Sequence, residues 1–113
     1  VEQKSADQIR EDLNGLKLRT RERRVTPEEM RDFTFTLSNF GMMAGRYATP
    51  VVVPPTIAIL GTGGIQHDVV PVLGGIEVHR RVPLSLTFDH RCGTGGDACR
   101  FLAAAIADLA QPT

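Results

Sequence analysis

Among the residues of this 113-residue chain that could do chemistry are the histidines His67, His79 and His90 and the cysteines Cys92 and Cys99. By count they could ligate zinc, but no spacing among them is that of a metal site. The two cysteines match neither a zinc ribbon nor a redox pair, so buried thiols are expected. His90 stands out by its setting. It follows Leu84-Ser85-Leu86-Thr87-Phe88-Asp89, whose alternation of apolar and polar residues predicts a half-buried strand. A polar turn with Gly93, Gly95 and Gly96 comes next, and then Ala98, Phe101, Leu102, Ala105, Ile106 and Leu109 recur at helical spacing. An imidazole at a strand end, beside a glycine-rich turn and a helix start, is suited to proton transfer.

The remaining elements must hold that turn. Ser5 and Gln8 form a capping box at the start of a helix reaching about Arg23, with Ile9, Leu13 and Leu16 as a narrow apolar stripe and Gly15 as a weak point. Lys17, Arg19, Arg21, Arg23 and Arg24 make its end basic, which is read as a solvated face near a helix C-terminus. Thr26-Pro27-Glu28-Glu29 starts a second helix. It must be short, because Phe33-Thr34-Phe35-Thr36-Leu37-Ser38 alternates as a strand, with the phenylalanines and Leu37 on one face. Residues 39–50 are a loop whose Met42, Met43 and Tyr47 suit burial against another subunit or a flexible ligand, although core filling is the expected role of any one of them. Val51-Val52-Val53 and Ile57-Ala58-Ile59-Leu60 read as strand residues buried on both faces, broken by Pro54-Pro55. Gly61-Thr62-Gly63-Gly64 lacks a complete phosphate-loop signature and reads as a turn. Val69 to Val72, a turn at Gly74-Gly75, and Ile76 to Val82 form a hairpin.

Composition narrows the class. Hydrophobic residues make up 42%, and 13 basic residues balance 13 acidic ones, so a soluble globular domain is expected and a general nucleic-acid binder is not. No apolar run approaches the ~20 residues that span a bilayer. The chain starts at Val1, with no secretory pattern, and is expected to be a segment of something longer. The element order is α/β without regular alternation.

At Phe88-Asp89-His90-Arg91 and Phe35-Thr36-Leu37-Ser38-Asn39-Phe40-Gly41 the sequence resembles the catalytic domain of dihydrolipoamide acyltransferases, the acyltransferase component of 2-oxoacid dehydrogenase complexes. Gly45-Arg46-Tyr47-Ala48-Thr49-Pro50, Pro54 to Gly61 and Pro83 to Phe88 extend the resemblance in order across most of Thr26 to Leu109. It implies that residues 1–113 are the C-terminal part of one catalytic domain, without lipoyl or peripheral-subunit-binding domains. It also implies the CoA-dependent acyltransferase fold, like that of chloramphenicol acetyltransferase, a mixed sheet with flanking helices. A homotrimer or larger core with active-site channels between subunits would follow, in contact with other subunits of the complex. Coenzyme A would be a substrate, the lipoyl group would arrive on a separate domain, and no metal, nucleic acid or membrane would be involved. A bacterial cytosol is the expected location, with the mitochondrial matrix as the alternative.

The resemblance assigns His90 as the general base on the attacking thiol. A thiol of pKa ~8.5 is mostly protonated near neutrality and an imidazole of pKa ~6.5 is mostly free base, so the pairing is chemically sound. Ser38 matches the serine that hydrogen-bonds the tetrahedral oxyanion, and in the family these two residues come from neighbouring subunits. Thr94 is a departure, because the family usually has Asp or Asn there. All three are good helix N-caps, and Asp97 lies three residues on. Thr94 is therefore expected to cap the last helix and fix the turn that carries His90, while Asp89 and Arg91 hold the loop as an ion pair. Family members commonly end in large apolar residues that join trimers into a hollow core, and this chain ends in Gln111-Pro112-Thr113. Two other readings remain open: an assembly scaffold without activity, and a CoA acyltransferase that does not use lipoamide. Half a domain would leave strand edges exposed.

Overall fold

The computed structural model describes residues 1–112 and divides into two units, Val1–Asp32 and the residues from Phe33 onward. The first unit is built on helix α1 (Ala6–Arg21). Ser5 caps it as expected: the Gln8 N–H donates to Ser5 Oγ at 3.3 Å, and the Ser5 N–H donates to Gln8 Oε1 at 2.9 Å. At the other end the Arg23 N–H donates to Thr20 O and the Arg24 N–H to Arg19 O, a Schellman closure. That closure puts Arg23 in the left-handed region at φ 55°. The basic stretch is exposed, and within it Arg19 pairs with Glu29 and Arg24 with Glu22. The segment after Thr26 is a single 3-10 turn, Glu28–Met30, shorter than an α-helix but closed by the expected bond from the Thr26 N–H to Glu29 Oε2 at 2.9 Å.

The second unit is a mixed sheet with one helix and one hairpin. Strands β1 (Phe35–Asn39), β2 (Ala58–Thr62) and β5 (Leu84–Phe88) form a sheet in the order β1-β2-β5. β1 and β2 are parallel, joined by the irregular stretch 40–57, and β2 and β5 are antiparallel. The hairpin pairs β3 (Gln66–Val72) with β4 (Gly75–Arg81). Its two-residue turn is Leu73-Gly74, one residue earlier than expected, with Gly74 supplying φ 88°. Helix α2 (Gly95–Leu109) follows β5.

The registers sort the side chains. Phe35 lies level with Ala58 and Phe88, and Leu37 with Leu60 and Leu86, so these six share one face. Helix α2 packs on that face, where the Phe101 ring meets that of Phe35 at 5.4 Å. Thr36, Ser38, Ile59, Gly61, Ser85 and Thr87 share the other face. Gly61 leaves room for the Phe40 ring there, because a Cβ would sit 2.9 Å from it and displace it.

Several expectations need correction. Val51 and Val53 lie in the loop and are exposed, because no strand pairs with them. Gly61 and Thr62 end a strand instead of forming a turn. Ile57 is exposed and Ala58, Ile59 and Leu60 are half-buried, so this run is not buried on both faces. Cys92 and Cys99 are free and exposed, because the turn and the outer side of α2 have nothing over them. Among the described residues no apolar side chain is fully buried, and Thr56 is the one buried polar residue.

Candidate active site

His90 is presented by a turn held from both sides. The Asp89 N–H donates to Ile57 O at 2.7 Å, carrying the β2–β5 ladder one residue further. The Cys92 N–H donates to Asp89 O at 2.9 Å and closes a four-residue turn with His90 and Arg91 at its centre. The Asp89 carboxylate accepts from the Arg91 N–H at 3.0 Å and from the guanidinium Nη2 at 2.7 Å and Nε at 3.0 Å. These bonds, the guanidinium's first, hold the Asp89 carboxyl at about 2. Asp89 and Arg91 thus do the structural work expected of them.

Thr94 closes the other side. Its N–H and its hydroxyl both donate to Asp97 Oδ2, each at 2.8 Å, and the Asp97 N–H donates to Thr94 Oγ1 at 3.2 Å. This is a complete capping box on α2. The bonds from Thr94, backbone first, lower the Asp97 carboxyl below its ordinary value. The expected cap is present, and the departure from Asp or Asn leaves the helix start intact.

The His90 side chain is exposed, and its ring lies against that of Phe88 at 5.5 Å between centroids, tilted by 34°. That contact was missed in the sequence, where the one available signal was an aromatic residue two positions before the histidine. Beside the turn is an apolar recess of about 230 Å³ under α2, walled by Phe35, Leu86, Phe88, Cys92 and Phe101.

Ser38 is half-buried near the end of β1. It is not brought to His90. Ser38 is level with Gly61 and Ser85, and β5 runs on to Phe88 before the His90 turn begins. That run is ~10 Å along the sheet, and crossing from β1 to β5 adds two strand spacings of ~4.8 Å. One copy of the chain therefore holds the two groups at opposite ends of one sheet, beyond hydrogen-bond reach.

Other candidates fall elsewhere. His67 and His79 lie on the hairpin, where the His79 ring Nε2 is 2.6 Å from Glu77 Oε2. No group of three metal-ligating side chains exists among the described residues. Met42, Met43 and Tyr47 are exposed. Arg46 donates to Asp68 Oδ1 at 3.0 Å, at the edge of a groove of about 460 Å³ between the hairpin and the end of α2. That pairing joins a loop to a strand and has no local sequence signal.

Residues 1–113 match the family model for the 2-oxoacid dehydrogenases acyltransferase (catalytic domain). The chain is 37% identical over 100 residues to the dihydrolipoyllysine-residue acetyltransferase component of the pyruvate dehydrogenase complex of Mycoplasma capricolum, covering 88% of this chain and 23% of that protein. It superposes on the dihydrolipoamide acetyltransferase of Azotobacter vinelandii, a structure determined to study the catalytic roles of one serine, one histidine and one asparagine. The TM-score is 0.79, with 32% identity, over 95% of this chain and 44% of that one. It also superposes on the cubic core of a pyruvate dehydrogenase multienzyme complex, with a TM-score of 0.78 and 32% identity over 89% and 42%. The fold is that of these acyltransferase cores, as expected. The chain spans about a quarter of the length of its curated relatives.

Proposed function

Since the chain belongs to the family of 2-oxoacid dehydrogenase acyltransferase catalytic domains, we propose that the protein containing it moves an acyl group between dihydrolipoamide and coenzyme A. The reaction is thioester exchange. His90 takes the proton from the coenzyme A thiol as the sulfur attacks the thioester carbonyl of acyl-dihydrolipoamide. The carbonyl oxygen becomes an oxyanion, to which the Ser38 hydroxyl of a neighbouring copy donates. Collapse breaks the bond to the dihydrolipoamide sulfur, which recovers the proton from the imidazolium. One base and one oxyanion donor close the cycle.

The observation that carries this reading is the His90 turn. Its backbone is fixed by Asp89, Arg91, Thr94 and Asp97, while its ring stays exposed. The order of residues supports the assignment. The serine, histidine and asparagine studied in the Azotobacter acetyltransferase are separated along that chain as Ser38, His90 and Thr94 are here. Thr94 acts by positioning: it caps α2 and holds the turn. The reading places coenzyme A and lipoyl-borne dihydrolipoamide as substrates, and a homotrimer or larger core as the working form, beside other subunits of the complex. A bacterial cytosol fits this role, and the mitochondrial matrix is the alternative. The presence of both His90 and Ser38 weighs against a decayed scaffold.

The test is acyl transfer from acetyl-CoA to dihydrolipoamide by the full-length chain. His90→Ala is expected to lower kcat by ~10²–10⁴-fold in a protein that still assembles. Parent-level turnover in that variant would overturn the assignment.

A further inference from the structure

A base on an exposed turn needs its ring held, since a histidine side chain otherwise samples several staggered rotamers. In many enzymes a carboxylate does this by accepting a hydrogen bond from one ring nitrogen. The nearest carboxylate in sequence, Asp89, is committed elsewhere: it accepts from the Arg91 N–H and from two nitrogens of the Arg91 guanidinium. No hydrogen bond to the His90 imidazole exists among the described residues, and its aromatic neighbour is Phe88. Phe88 is itself well anchored. It lies in the sheet level with Ala58, is half-buried, and walls the apolar recess beneath α2 with Phe35, Leu86 and Phe101. A centroid distance of 5.5 Å is within the range of favourable aromatic pairs.

We propose that Phe88 is a positioning residue for His90, its ring serving as the platform that fixes the imidazole plane. This rests on the reading of His90 as the base. The platform couples the reacting group to the sheet through ring contact. It also links the recess to the reaction, because Phe88 both lines the recess and meets the His90 ring.

The experiment is a double-mutant cycle in the assembled full-length chain, with kcat and KM measured for Phe88→Leu, Phe88→Tyr, His90→Ala and the Phe88→Leu/His90→Ala pair. Phe88→Met, which keeps the bulk without the ring, replaces Phe88→Leu if the latter fails to assemble. Phe88→Leu is expected to lower kcat about tenfold while both KM values stay within roughly twofold. Phe88→Tyr keeps about half of the parent rate or more, because it retains the ring face. In the His90→Ala background the Phe88 change has no further effect, since the residue acts through the imidazole. Parent-level kcat in the ring-less variant, a fall shared by Phe88→Tyr, or the same loss in both backgrounds would overturn the proposal. Parent-level turnover in His90→Ala overturns the base assignment instead, so the two failures are read separately.

Discussion

Ser38 and His90 lie at opposite ends of the same three-stranded sheet. Ser38 is in register with Gly61 and Ser85, while His90 lies beyond Phe88 at the far end of β5. Antiparallel pairing of β2 with β5 dictates this: β1 and β2 run one way, so the residue after β5 emerges where β1 begins. If both residues serve one reaction, they meet across two copies. Ser38→Ala, expected to lose ~10²–10³-fold in kcat, and His90→Ala should then be nearly inactive alone and complement each other when unfolded together and reassembled. In random mixtures roughly a quarter of sites combine an intact serine with an intact histidine, and turnover should recover to that fraction of the parent. No recovery in mixed assemblies of normal size would show that the two residues do not share a site.

Thr94 carries the clearest local prediction. Its hydroxyl accepts from the Asp97 N–H and donates to the Asp97 carboxylate. Thr94→Val keeps the shape and removes both bonds, so it should cost ~1 kcal/mol of stability, as lost N-caps do, and lower turnover through the His90 turn. Thr94→Asn restores an N-cap acceptor and should leave both near the parent values. Thermal melting with a turnover assay checks the pair. An unchanged melting temperature in Thr94→Val would show that the cap bonds contribute nothing.

Some of this was readable in the sequence because it is local. The Thr94 and Ser5 boxes depend on residues three positions apart, and β1, β5 and α2 depend on periodicity within a few residues. What could not be read depends on distant neighbours. Val51 to Val53 has a strand's composition but no strand to pair with. Cys92 and Cys99 are small apolar residues that the fold leaves uncovered. The separation of Ser38 from His90 within one copy was implied by the family resemblance, but its cause, the register of β1, β2 and β5, is encoded by neither segment alone. The Arg46–Asp68 pair joins a loop to a hairpin that sequence alone does not bring together.

The Asp89–Arg91 pair gives a pH dependence with a definite sign. Its bonds to Arg91 hold the Asp89 carboxyl at about 2 in the folded chain, against ~3.9 in an unfolded one. The unfolded state therefore binds the proton first as pH falls. The stabilisation is complete above ~4 and is lost on acidification toward about 2. Asp89→Asn should flatten the stability profile in that window and leave the profile above it unchanged in shape. Melting temperatures of the two proteins across acidic pH check this. Parallel curves would show that the ion pair adds no pH-dependent stability.

The C-terminal closure of α1 makes the last prediction. Arg23 takes the left-handed position at φ 55°, which a glycine occupies without crowding of Cβ. Its backbone bond to Thr20 O, and that of Arg24 to Arg19 O, require the conformation whatever the side chain. Arg23→Gly keeps both bonds and removes the steric cost, but it also loosens the unfolded chain, so the two effects oppose each other. The relief of a left-handed residue is ~1–2 kcal/mol and the added backbone freedom costs ~0.5–1 kcal/mol. The balance runs from about zero to ~1.5 kcal/mol in favour of the variant. Chemical denaturation of the full-length chain is the measurement. A destabilised Arg23→Gly would mean that the arginine side chain supplies more than its strained backbone costs.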